Sequence, residues 1–315
     1  TLRDNTTGAQ NTAIGQGSMV NHETGNNNVS IGFQSMENSD SSHDCVALGV
    51  NSLHQNSTGA NCVAIGRNAL YGGKVNNNTA VGHDCMGTST NITGANNTAV
   101  GYTALEDCTT GTVNNCFGYE AGKGLTGGSY NVAIGGEALE TCTTGDTNVA
   151  IGHDALRYYS GSNSVAIGAQ SLTNLTTGTY NTAVGYQSGI NVTTGQKNTF
   201  VGRESGHDIT TGNENTAIGS EALDKLATGS NNTAVGSVAL RQCTNNDNVA
   251  IGREAGRDTS SGTQNTFLGR SAGEQHQTGS NNTAIGFNSA RSGQVFYLTT
   301  QSNRVVIGNN SITNI

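Results

Sequence analysis

A glycine that closes a short apolar segment recurs along this chain on a beat of about seventeen residues. Eighteen such glycines run from Gly15 and Gly32 through Gly135, Gly152 and Gly219 to Gly286 and Gly308. Of their seventeen intervals, twelve are 17 residues long, three are 16, one is 19 and one is 22. The residue before the glycine is large and apolar, as in Ile14, Ile134, Ile151, Ile218 and Ile285. Two before it stands Ala in most units, with Ser30, Cys116, Phe200 and Phe267 among the exceptions. Three before is Thr or Val, except Asn115, and four before is Asn in fourteen units. Alternation on a period of two marks a strand. A fixed beat of this length marks a stack of units in which each covers its neighbours.

Composition narrows the choice further. Only 33% of the 315 residues are hydrophobic, aromatics are 5%, charged residues 11%, and there is no Trp. Globular domains are nearer half apolar, so one large core is excluded. Disorder is the competitor, but disordered chains lack regular β-branched positions. Here a net charge of −8 is spread over the whole length. Proline, which breaks a ladder, is absent, and 45 glycines supply corners. The expected fold is all-β: a parallel β-solenoid or β-roll of about 18 rungs, on the order of 80–90 Å long at the usual strand spacing. Residues 1–286 read as the repeat shaft. Residues 287–315 read as an irregular last repeat, a cap or a transition, with Val295, Phe296, Tyr297 and Leu298 as the most apolar run. Thr1 to Gly8 resembles the second half of a unit, which predicts a piece of a longer or processed protein.

Each unit is expected to hold a strand of about five residues, a turn, a weaker second strand and a Thr-Gly corner. The Thr/Val and Ile/Val positions share one strand face and are expected to fill the coil; the Ala face, small and flat, is expected to meet another chain. A second inward position lies four after the glycine, where all three Met fall. The Asn column predicts a ladder of side-chain hydrogen bonds. One coil encloses few large side chains, roughly 1.5–3 kcal/mol each. That barely offsets ordering a whole unit, so an obligate oligomer closed by cyclic symmetry is expected.

Chemistry is sparse. The position after the strand glycine carries Phe33, Tyr102, Tyr119, Tyr186 and Phe287, together with Arg67, Arg203, Arg253 and Arg270. This outward stripe is the candidate contact surface for a glycan; its plain alternative is a solvated edge with charge pairs between rungs. Seven Cys track the repeat, with Cys108, Cys142 and Cys243 in one column and Cys45 and Cys62 in another. They read as small buried residues, and without a CxxC no zinc site is indicated. His83-Asp84 and His153-Asp154 lie four rungs apart, roughly 19 Å, too far to share a metal within one chain. No paired carboxylates, triad, phosphate loop or calcium repeat stands out. The expectation is no enzyme, no metal and no cofactor. The acidic balance argues against nucleic acid, and no apolar run is long enough to insert in a membrane.

The segment NSVAIGAQS at 163–171, with its NTAIG and NVAIG relatives, resembles the head repeats of trimeric autotransporter adhesins. The resemblance implies left-handed parallel β-rolls, three chains side by side. The unit here is longer, its corner extended by TTGxxN, and so looks more like the repeats of phage tail fibres and related surface fibres. The tail NRVVIGNNSITNI at 303–315 is similar to the segment that leads into a self-cleaving intramolecular chaperone. By resemblance, the chain is expected to be a homotrimeric, extracellular fibre of a virion tail or cell surface, serving attachment to a host glycan or protein receptor. A polysaccharide-degrading tail spike and an ice-binding solenoid are the alternatives.

Overall fold

A computed structural model describes residues 1–87, 92–291, 293 and 297–312. Within them the protein is an all-β parallel β-solenoid with units of about 17 residues. No described helix is long and apolar enough to cross a membrane. The chain divides into two compact units, Thr1–Ser162 and Asn163–Ile315. The first carries nine strands, from Thr12–Ile14 to Val149–Ile151; the second carries nine, from Val165–Ile167 to Val305–Ile307.

Every strand is three residues long, shorter than the five expected, and within each unit consecutive strands pair in parallel at equivalent residues. In the first unit Ala47 lies opposite Ala64 and Leu48 opposite Ile65. In the second, Ala217 lies opposite Ala234. The ladder continues across the 22-residue interval, where Val305–Ile307 pairs with Thr283–Ile285. In that interval Leu298 is buried and Tyr297 exposed; Val295 and Phe296 lie outside the described residues.

The strand stops where it does because the closing glycine takes a positive φ, 130° at Gly135 and 132° at Gly152. The expected second strand is not one. Its residues alternate into the left-handed region, with Glu137 at φ 58° and Leu139 at φ 56°. Backbone bonding still links turn to turn. Glu137 N–H donates back to Tyr119 O at 2.8 Å, and Leu139 N–H donates forward to Ala155 O at 3.0 Å.

The core reverses the expected faces. The middle strand residue points inward: Ala133, Ala150, Ala217 and Ala234 are fully buried. The flanking Thr/Val and Ile/Val point outward. Ile14 is 57% exposed, Ile134 and Ile218 39%, and Ile285 37%, while Ile151 is half-buried. The reason is volume. Opposite the strand sits the position four after the glycine, holding Leu139, Leu156, Leu223 or Leu240. A coil this thin fits a methyl against each of those side chains, not a second branched one.

Two exceptions prove the accounting. Phe200 and Phe267 occupy the Ala position and are fully buried. The Leu position is glycine in the same turn and in the turn before: Gly206 and Gly189 for Phe200, Gly273 and Gly256 for Phe267. A Cβ on Gly206 would stand 2.5 Å from the Phe200 ring, and one on Gly189 2.7 Å from it.

The asparagine ladder is present and buried. In the first unit Asn131 Oδ1 accepts from Asn148 N–H at 2.9 Å, and Asn131 Nδ2 donates to Gly145 O at 2.8 Å. In the second unit Asn198 repeats this with Asn215 N–H at 2.9 Å and Gly212 O at 2.8 Å. Each side chain thus satisfies a corner carbonyl and an amide that would otherwise be buried unpaired.

Candidate functional site

The position after the strand glycine leaves the sheet at a corner, so its side chain faces solvent. The first unit carries Phe33, Tyr102 and Tyr119 there, 45%, 50% and 52% exposed. The second carries Tyr186, Arg203, Arg253 and Phe287, all exposed. The structure brings some of these together. Tyr102 and Tyr119 stack with centroids 5.6 Å apart and planes 8° from parallel, and His83 stacks on Tyr102 at 5.4 Å. Arg270 lies over the Phe287 ring at 5.8 Å. Phe33 is separate from that stack, two turns before Arg67 in the same column.

Beside this column runs a ladder of ion pairs that sequence reasoning placed only in outline. It joins residues one, two, five and six after the glycine. Arg157 holds Glu137 and Glu140 at 2.6 Å and Asp154 at 3.2 Å. In the second unit Arg257 holds Glu274 at 2.7 Å and Asp258 at 2.8 Å, and Arg203 bonds Glu204 at 2.6 Å and also Glu221. Such surface pairs contribute little stability individually.

Among the described residues, His207, Asp208 and Asp224 form a cluster tight enough to hold a metal ion. Its acids already have cations. Lys225 Nζ lies 3.0 Å from Asp208 and 3.4 Å from Asp224, and Arg241 reaches Asp224 at 3.3 Å. His83 and His153 bond their neighbouring aspartates, at 2.8 and 2.9 Å, rather than each other.

The seven cysteines are free and buried. Burial pushes the thiols of Cys108, Cys142 and Cys243 up to about 11 and that of Cys85 to about 12. These four stay protonated at neutral pH and pack as small apolar side chains. Cys108, Cys142 and Cys243 share the buried corner column, seven after the glycine, with Leu125, Tyr159 and Leu226. His22 and His276 fall in that same column and are fully buried. The beat places them there, in a column otherwise filled mainly by small or apolar side chains, with Asn56 as a further polar member.

His276 packs on Phe267, ring centroids 5.3 Å apart, and bonds Asn282 Nδ2 at 3.3 Å. Burial pushes its pKa down from 6.5 to about 4. The folded state therefore holds it neutral while the unfolded chain protonates more readily. Stability is full above about pH 6.5 and falls as pH drops from there through about 4, by about 3 kcal/mol in all. A His276→Leu variant, matching Leu226 in the column, is expected to lose that dependence. Urea midpoints measured from pH 7 to 4 on both chains check this; equal slopes would refute it.

In three Thr-Thr-Gly corners of the second unit the first Thr turns its hydroxyl to the backbone. Thr176, Thr193 and Thr210 donate to the backbone carbonyl of the next turn at 2.9, 3.1 and 3.0 Å. Comparison of the chain with protein-family models and with curated proteins finds no match.

Proposed function

We propose that the protein is a structural and adhesive fibre, working as a homotrimer outside the cell, on a virion tail or cell surface, and contributing to attachment to a host or other surface. The observation that carries this reading is the outward strand face. In each unit the Ile/Val residues line up in register beside a Thr/Val column and stay 37–57% exposed at Ile14, Ile65, Ile134, Ile167, Ile218, Ile251 and Ile285. A continuous apolar ridge of this kind on a soluble chain marks a surface that another molecule covers. Identical side chains at a constant spacing fit a second and third copy of the same ridge, in the same register, better than an unlike partner. The likeness of NSVAIGAQS to adhesin heads supports three as the number.

Native mass is the test. The expected species has three times the 32.2 kDa of one chain. Replacing two ridge positions two turns apart, Ile218→Lys and Ile251→Lys, is expected to release monomer, because buried unpaired ammonium groups are costly. A wild-type chain that stays monomeric across concentrations would overturn the trimer and weaken the fibre reading with it.

One observation favours a second reading. In the second unit Thr182, Thr199, Thr216 and Thr233 stand in register on that outward face, half-exposed. An ice-binding surface would need such a column. Val249 interrupts it, and thermal hysteresis of the purified chain separates the two readings.

A further inference from the structure

The aromatic ladder of the first unit has one step without a ring. His83, Tyr102 and Tyr119 stack at three successive turns. The next turn carries Gly136 in that column, and the turn after carries His153. A Cβ added to Gly136 would have a single neighbour within 4 Å, His153 Cδ2 at 3.5 Å. One face of Tyr119 is covered by Tyr102; the other looks across the Gly136 level toward His153. Two rungs span roughly 9.6 Å. A ring seated midway would lie about 5 Å from each wall, within the range of favourable ring stacking.

Both walls are held in place. The Glu120 carboxylate beside the Tyr119 hydroxyl raises the phenol's pKa, and His153 Nδ1 bonds Asp154 at 2.9 Å. Between them at the same level stands Glu137, bonded to Arg157 at 2.6 Å. Asp154 itself is buried against His153 and Arg157, so two carboxylates line one side of the slot, Glu137 and Glu120, the latter with Lys123 Nζ at 3.2 Å. Each has about four lone-pair sites, more than its present partners use. The occupant that suits this edge has apolar ring faces and several hydroxyl or amine donors on its rim. An acidic ring would be repelled.

We propose that the slot over Gly136 binds one pyranose ring of a neutral or amino-bearing surface glycan, sandwiched between Tyr119 and His153 with its donors on Glu120 and Glu137. The proposal rests on the surface-attachment reading and gives it a ligand class and a place.

The test applies the full chain to a printed array of neutral, amino-bearing and sialylated oligosaccharides. Gly136→Tyr completes the ladder and fills the slot; Tyr119→Ala removes a wall. The expected result is binding to neutral or amino-bearing glycans and not to sialylated ones. Each variant is expected to weaken it about ten-fold or more, at unchanged melting temperature for Gly136→Tyr. Tyr180→Ala, an exposed tyrosine of the other unit outside the stripe, is expected to bind as wild type. Glycan binding that survives Gly136→Tyr overturns the slot and leaves attachment standing. So does adherence to a panel of cells without any array binding. Neither binding nor adherence overturns both readings. Binding of a tyrosine-rich peptide, lost in Gly136→Tyr, with no glycan bound, overturns the sugar assignment.

Discussion

Phe200→Ala is expected to destabilise the second unit by about 3–5 kcal/mol, although it installs the residue that most other turns carry. The loss comes from what surrounds it. Phe200 fills space that Gly189 and Gly206 leave open, and no neighbour can collapse into that space once the ring is gone. Gly206→Leu alone is also expected to destabilise, by about 1–3 kcal/mol or more, because its Cβ would meet the ring at 2.5 Å. Neither penalty is strain at φ. Leu occupies this position at φ near 50° in many other turns, such as Leu172 and Leu223. The combined variant Phe200→Ala, Gly189→Leu, Gly206→Leu returns the site to the ordinary unit and is expected to recover most of the stability. Urea unfolding of the single and combined variants measures the coupling. Strict additivity would show that the three residues do not share one volume. Phe267 with Gly256 and Gly273 makes a second instance. Turns built from near-identical units could slip past one another by one repeat. A ring matched to two glycines resists this, since a slip would set Phe200 against a Leu-bearing turn.

The beat of glycines was enough to read the parallel ladder, its register and the asparagine column, because each depends on position along the chain and not on depth. Depth was harder. Alternation shows that Ala133 and Ile134 point to opposite sides, but not which side is the inside. Large residues usually face inward, and that expectation failed because the coil is narrow and Leu139 already fills it. The signal that decides the question was in the sequence: wherever Phe replaces Ala in the strand, Gly replaces Leu four after the strand glycine. Residues that trade volume must touch. The same reversal moves the expected chain-to-chain contact from the Ala face to the Ile ridge. The contact stripe was legible as an outward column, since Tyr102, Tyr119, Tyr186, Phe33 and Phe287 follow a strand-ending glycine. Its stacking was not, because that depends on side-chain torsions. The ion-pair ladder was half legible for the same reason: Arg157 reaches three acids on two turns, a geometry set by the left-handed residues of the turn segment.

Two adjacent glycines are expected to respond in opposite ways to the same added methyl. Gly135→Ala is expected to cost about 4 kcal/mol or more, while Gly136→Ala stays within about 0.5 kcal/mol of wild type. Gly135 has φ 130°, a region L-residues rarely occupy, and its Cβ would stand 2.6 Å from Gly152 O and 2.7 Å from Gly152 C. Those atoms belong to the backbone of the next turn, so relief requires the two turns to part. Parting them breaks the Gly152 N–H bond to Ile134 O, now 2.7 Å, and the strand pairing beside it. Gly136 has no such neighbour; its Cβ would make one ordinary contact with a surface imidazole. Gly219→Ala repeats the severe case in the second unit, against Gly236 at 2.6 Å. Thermal melts of the three variants, with limited proteolysis to locate the opened turns, check the contrast. Cleavage in Gly135→Ala is expected to concentrate on the residues flanking that turn, because each unit leans only on its neighbours. A Gly135→Ala chain that melts like wild type would mean that the turns can separate locally without cost, and the column of glycines would then owe its regularity to something other than the closeness of the stack.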